Sequence, residues 1–222
     1  MPFRVVPRRD RKLFRLIKGS EVLELRRGEV LYSEGDSPSS LYLVGNGHIR
    51  LTEAHGVGKE RTVGITGPWE LTGGEALIPW AQRRTGAQAG ERTVVTVLDG
   101  RSVNRILKSS TKTLETYLQA LEEELELARV LARLTRPGGA PGRLAALLLS
   151  LSARLGVGEE TPEGRVIPHP LTHGVLAELS QCHRSTVTTL LNEWIYDGIL
   201  GEAERGVRVH RHGALRELVA GD

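Results

Sequence analysis

Between Glu21 and about Val103, apolar residues come in short runs of β character that glycines interrupt. The runs Val22–Leu25, Val30–Tyr32, Ser40–Val44, His48–Thr52, Thr62–Ile65 and Thr93–Leu98 recur mostly at roughly 8–12-residue spacing, which predicts an all-β barrel or sandwich. Gly28, Gly35, Gly45 and Gly47 fall at the intervening turns, where a positive φ is open to a residue without Cβ. The stretch EAHGVGK, residues 53–59, reads as a hairpin tip.

Near Ser109 the period changes. Leu114, Leu118, Leu121, Leu125, Ala128 and Ala132 follow a 4-3-4-3-4 spacing, a helical seam of coiled-coil type. Leu127, Val130, Leu131 and Leu134 form a second apolar stripe, so this helix is expected to touch two surfaces, a partner helix and its own β domain. An ordinary helix buried in one core is the alternative. Arg136-Pro137-Gly138-Gly139 stops it and marks a domain boundary. Beyond it the pattern predicts an amphipathic helix over Gly142–Leu155 and an acidic loop over Gly156–Gly164. Two helices follow near Thr172–Ser180 and Arg184–Tyr196, then a strand at Val207–His210 and a last helical turn or two at Ala214–Val219. Two helices so close together, followed by a hairpin, outline a winged helix-turn-helix.

The segment THGVLAELSQCHRSTVTTLLNEW fits that motif position by position. Ala177 supplies the small residue where the helices cross, and Leu176, Leu179, Val187 and Leu190 are spaced to fill the angle between them. Arg184, Ser185, Thr188 and Thr189 stand on the outer face at the head of the second helix, with no acid before Glu193. That end enters the major groove in such motifs. The Arg184 guanidinium can donate two parallel bonds to guanine O6 and N7. Thr186, Thr172 and His173 or His183 are placed for phosphate contacts, which set register rather than sequence. An exposed polar face that docks a protein is the competing reading.

Composition changes this picture little. The chain has 222 residues, 39% of them hydrophobic and 26% charged, enough for one or two folded domains. Mean hydropathy is −0.22. Its longest near-apolar run, Leu144–Ala153, is about half of a bilayer crossing, and the Arg-rich N-terminus shows no apolar signal core. With the single cysteine, Cys182, these features lead to an expectation of a cytoplasmic protein with no membrane partner. The formal charge of +3 is unevenly spread. Residues 140–222 hold eight arginines, no lysine and ten acids, whereas residues 1–18 hold seven basic residues against Asp10. Net charge therefore does not nominate the C-terminal part as a DNA binder; the local pattern does.

These motifs in this order resemble the Crp–Fnr family of bacterial transcription regulators over nearly the whole chain. The carriers are RRGEVLYSEGDSPSSLYLVGNGHIRL, GGEALIPWAQRRTGAQA, the long helix and HRSTVTTLL. The resemblance implies an α+β architecture. Residues 1–108 would be an effector-sensing, cyclic-nucleotide-binding-like β-roll (jelly roll) with a basic N-terminal arm. Residues 109–136 would be a dimerisation helix, and 137–222 a winged helix-turn-helix. It further implies a homodimer on a pseudo-palindromic double-stranded operator, Arg205 on the wing, and an activating contact between RNA polymerase and the 156–164 loop (GVGEETPEG). Gly74, Glu75 and Ala76 with Arg84 and Thr85 match the family's cyclic-nucleotide pocket. No resident cofactor follows from the residues; a cyclic nucleotide or another small anionic effector is what the resemblance implies. If Arg84 is free, such an anion docks there; if it pairs with Glu75, the regulator is constitutive and controlled by its abundance.

Two departures stand out. The adenine-side Thr-Ser pair of the cyclic-AMP receptor is replaced by Leu127-Ala128-Arg129, and the cytosine-reading carboxylate of its recognition helix by Ser185. Gln181 occupies a turn position usually held by glycine. One cysteine cannot hold an iron–sulfur cluster. A haem needs an axial ligand, and His48 on a strand and His55 at a hairpin tip both read as solvated. Cys182, within the turn, reads as packing. His210, His212 and Glu217 imitate part of a cupin metal site, the one enzymatic alternative, but they follow the wing, far from the β region. No GxSxG, HExxH, CxxC pair or P-loop is present, so no enzyme is expected.

Overall fold

The computed structural model describes residues 17–56, 58–115, 117–118, 121–122, 125, 139–155, 164–168, 171–203 and 206–220. The chain divides into two compact units, residues 3–123 and 124–222.

The first unit holds two four-stranded antiparallel sheets. β1 (Val22–Leu25), β8 (Thr93–Asp99), β3 (Ser40–Asn46) and β6 (Leu71–Thr72) make one, in the order β1-β8-β3-β6. β2 (Val30–Tyr32), β7 (Gly86–Ala89), β4 (Ile49–Ala54) and β5 (Glu60–Thr66) make the other, in the order β2-β7-β4-β5. Alternate side chains of the two sheets meet in one core: Leu25, Val44 and Val95 from the first, Tyr32, Ile49, Ala87 and Ala89 from the second. β6 and β7 are strands the sequence did not announce. β7 reads GAQA, with no branched or aromatic residue, and is a strand because β2 and β4 flank it. Gly47 shows why a glycine sits between β3 and β4: at φ 75°, a Cβ there would lie 2.7 Å from the Arg92 carbonyl oxygen.

The sandwich ends in helix α1 (Gly100–Ser109), capped by Asp99, whose carboxylate accepts from the Ser102 amide at 2.8 Å. Val103 and Leu107 of α1 pack with Leu41, Leu43 and Leu98. The described residues from 111 to 125 are helical. The Leu127-Ala128-Arg129 turn and the whole second stripe lie outside the described residues.

In the second unit, α2 (Gly139–Leu155) packs against β9 (Arg165–Pro168), α3 (His173–Ser180) and α5 (His212–Ala220). α4 (Arg184–Tyr196) follows α3. β10 (Leu200–Ala203) and β11 (Gly206–Val209) form an antiparallel hairpin, with β9 added beside β11. Leu144, Leu148 and Leu151 of α2 are buried at helical spacing, as are Val187, Leu191 and Trp194 of α4. β9 is not apparent from the sequence pattern, although Val166 and Ile167 are a signal for it behind the acidic loop. Among the described residues, no helix is long and apolar enough to cross a membrane.

Candidate nucleic-acid interface and effector pocket

The helix-turn-helix is assembled from local bonds. Thr172 caps α3, its hydroxyl accepting from the Val175 amide at 3.3 Å. α3 ends at Gln181 with φ 54° and ψ 43°, the left-handed conformation expected there. For a residue with a Cβ this costs roughly 1–2 kcal/mol. The Cys182 amide then bonds the Ala177 carbonyl at 3.0 Å, which reverses the chain tightly. Ala177 is buried as the crossing requires. The angle is filled by Leu176, Val187 and Leu191; Leu190, assigned there from spacing, is half-buried, as is Leu179. Spacing finds the face of a helix more reliably than the residue at its centre.

On the outer side of α4, Arg184, Ser185 and Thr189 are exposed, and so is His183, the residue that precedes the helix. No described side chain holds the Arg184 guanidinium. Thr186 and Thr188 are half-buried, Thr172 is exposed and His173 half-buried. His173 Nδ1 lies 2.9 Å from the Thr188 hydroxyl, which itself donates to the Arg184 carbonyl at 3.0 Å. A hydroxyl has one proton, already given to that carbonyl, so Nδ1 must donate. This chain of bonds joins the start of α3 to the first turn of α4 and fixes the pitch at which α4 leaves the motif. Arg205 lies outside the described residues.

The residues expected to line a pocket at Gly74–Thr85 lie in the first unit, with a change of partner. Glu75 stands on a single 3-10 turn, Gly74–Leu77, whose Ala76 packs on the α1 side of the core. Its side-chain partner is Arg83, not Arg84: Nη1 donates to Glu75 Oε2 at 3.3 Å. Arg83 also donates to the Gly73 carbonyl at 2.8 Å and the Ser40 carbonyl at 2.6 Å, and stacks 4.1 Å over the Tyr32 ring. Its side chain is 2% exposed. Gly73 is glycine because the guanidinium needs the room; a Cβ there would lie 2.5 Å from Nη1. Tyr32 stacks on Tyr42 and bonds Thr72 at 2.8 Å, and burial pushes its phenol above the ordinary range. Arg84 gives Glu75 only its backbone amide, at 3.4 Å, while its side chain is exposed; Thr85 is half-buried beside it.

Sequence reasoning points to Arg84 and misses Arg83. The two arginines stand in an irregular loop ahead of β7, with Arg83 buried and Arg84 exposed. The loop's conformation, absent from the sequence, decides which of them faces inward. Removing either member of the Arg83–Glu75 pair would leave a largely buried charge uncompensated.

His48 is a second correction. Rather than being solvated, it is 5% exposed, with Nδ1 3.0 Å from Glu91 Oε1 and Nε2 buried without a partner. Burial holds its pKa below the ordinary imidazole value. The ring packs on Gly90, where any Cβ would strike it, so Nε2 meets backbone rather than an open coordination position. Of the cupin-like set, His212 bonds Ser152 at 3.1 Å and Glu217 is exposed. Among the described residues no His, Cys, Asp and Glu side chains group to hold a metal.

A β-roll followed by a winged helix-turn-helix with a free basic helix head defines a class, the two-part DNA-binding transcription regulators. The cyclic nucleotide-binding domain family matches residues 22–110, and the Crp-like helix-turn-helix domain family matches residues 142–218. The chain belongs to the Crp–Fnr family of transcription regulators. It is 28% identical over 195 residues to the cyclic AMP receptor protein of Thermus thermophilus, covering 88% of this chain and 86% of that one. It is 27% identical over 196 residues to a CRP-like cAMP-activated global transcriptional regulator of Mycobacterium tuberculosis, covering 82% and 81%. A solved CRP/FNR-family regulator from Thermus thermophilus superposes with a TM-score of 0.63 at 26% identity, covering 90% and 98%. FixK2 of Bradyrhizobium japonicum shares the fold at a TM-score of 0.76 and 20% identity, covering 90% and 96%. These relatives are regulators, not enzymes.

Proposed function

We propose that this regulator acts as a homodimer on a pseudo-palindromic operator, one α4 from each protomer entering the major groove about 34 Å apart. Residues 1–108 then sense, 109–136 dimerise and 137–222 bind DNA. The observation that carries this reading is the unheld Arg184 guanidinium on the exposed head of a helix whose opposite face is buried. Arg184 reads a guanine, and Ser185 and Thr189 line the base edges beside it. His183, Thr186, Thr172 and His173 lie toward the phosphates, with Arg205 on the wing. Thr188, tied to His173 and the Arg184 carbonyl, sets the helix rather than reading a base. RNA polymerase remains the partner proposed for the 156–164 loop, of which residues 156–163 lie outside the described residues.

We read the β-roll as competent for DNA binding without a cyclic nucleotide. A ribose needs a free carboxylate, and Glu75 is spent on Arg83. A second reading rests on Arg84, whose guanidinium no described side chain holds and which, with Thr85, offers a small anion a dock. Calorimetric titration with cyclic AMP, repeated beside an operator-binding assay, separates the two. We expect no saturable heat in the micromolar range and one operator affinity with or without the nucleotide. Micromolar binding that sharpens operator affinity, and is lost in Arg84→Ala, would overturn the nucleotide-free reading.

A further inference from the structure

Arg143, at the start of the second turn of α2, engages the helix-turn-helix turn through several bonds. Its Nε donates to the Ser180 carbonyl at 3.0 Å. Its Nη2 lies 3.4 Å from the Gln181 carbonyl and 3.5 Å from Cys182 Sγ. The Cys182 sulfur lies 3.4 Å from the Ser180 carbonyl and 3.9 Å from the Ala140 carbonyl, back on α2. The carbonyls at the end of α3 are those a helix leaves unsatisfied, and a planar fork can cap successive ones where an ammonium offers a single point of charge. Between them stands Gln181, a non-glycine residue at φ 54°, so the turn is held in a conformation its own sequence does not favour.

The clamp is itself anchored. Gly142 is packed against α5, where a Cβ would lie 3.0 Å from the Leu218 carbonyl, and the following Leu144 and Ala145 are fully buried. The N-terminal half of α2 is therefore a fixed base, and Arg143 reaches from it to the residues that launch α4. Arg184, the residue assigned to reading DNA, comes two positions after Cys182.

Building on the reading of α4 as the recognition helix, we propose that Arg143 is the positioning residue for Arg184. It locks the 180–182 turn, and so transmits the position of the α2 base to the head of α4. A shift of α2 then reaches the recognition helix through this guanidinium as well as through the packing of α2 on α3.

The test uses the full chain and its sole cysteine. Two quantities are measured for wild type, Arg143→Ala and Arg143→Lys. One is the ratio of affinity for the operator to affinity for the same duplex with the Arg184-read guanine replaced. The other is the rate at which dithiobis-nitrobenzoate labels Cys182. Misaiming a bidentate arginine–guanine pair should make the discrimination ratio about 10-fold lower in Arg143→Ala, with low-salt affinity for non-specific DNA kept within about 2-fold. Cys182 should label about 10-fold faster, since the turn that shields it opens more often. Arg143→Lys, which keeps the charge but not the fork, should fall between on both measures, and it serves as the folded variant if alanine does not fold. In an Arg184→Ala background, Arg143→Ala should lower discrimination little further. Full wild-type discrimination in Arg143→Ala would overturn the proposal, as would an equal loss on both duplexes. A wild type with no sequence preference would instead overturn the recognition-helix reading, and this inference with it.

Discussion

Glutamate at Leu121 or Leu125 is expected to abolish dimerisation and lower operator affinity by ~100-fold or more, because a monomer loses the second half-site. Leu114, Leu118, Leu121 and Leu125 continue the 4-3-4 seam in sequence and are 38%, 54%, 43% and 44% exposed in the single chain. A helix that leaves four leucines at this spacing in water has an apolar row to cover, and a second copy of the same helix matches it in period. A carboxylate placed in such a seam faces its own copy across the axis, so desolvation and like-charge repulsion act together. Sedimentation should show a monomer for both variants and a dimer for wild type at the same concentration. Dimeric Leu121→Glu with intact operator binding would assign the seam to another use.

Arg184→Ala is expected to relax the choice at one guanine per half-site by about 1–3 kcal/mol, while non-specific affinity changes little. Its direct-readout role rests on position: the guanidinium is exposed on the first turn of α4, and the His173–Thr188 bond and the Arg143 clamp fix where that turn points. Ser185 carries no carboxylate, so an adjacent cytosine is not read in the way the cyclic-AMP receptor pattern would suggest. Arg205→Ala is the contrasting variant. Given the phosphate contact proposed for Arg205, its loss is expected to weaken all sequences alike and to lower the salt slope by about one. Competition binding against a panel of operator variants measures both. Equal losses on every sequence for both variants would remove Arg184 from base reading.

The sequence is most informative where a single period dominates. The bounds of α4, Arg184–Tyr196, coincide with the expected helix, since an apolar stripe of period 3.6 runs from Val187 to Trp194 and Asp197-Gly198 follows it. The helical state of the described residues from Leu114 to Leu125 is legible for the same reason. Strands β7 and β9 are not, because β7 has no β-forming side chains and β9 ends in proline; both are made by their neighbours. In the pocket, the sequence reveals the residue types but not their facing. Arg83 and Arg84 are chemically identical, and only the backbone path decides that Arg83 turns inward to Glu75 and the tyrosines. His48 differs in kind: a polar residue at a strand start reads as solvated until Glu91, far along the chain, is brought beside it. Arg143 carries little sequence signal, because the partner it approaches most closely is a backbone carbonyl, which every residue has.

The most direct test of DNA reading by α4 is selection from a random duplex pool by the full-length protein, run with and without cyclic AMP. One enriched pseudo-palindrome is expected, its half-sites centred about one helical turn apart, each with a guanine that Arg184→Ala ceases to select. The same motif should emerge in both arms. A pool that enriches nothing would contradict the assignment of α4, and a motif that appears only with the nucleotide would contradict the self-satisfied Glu75–Arg83 pocket.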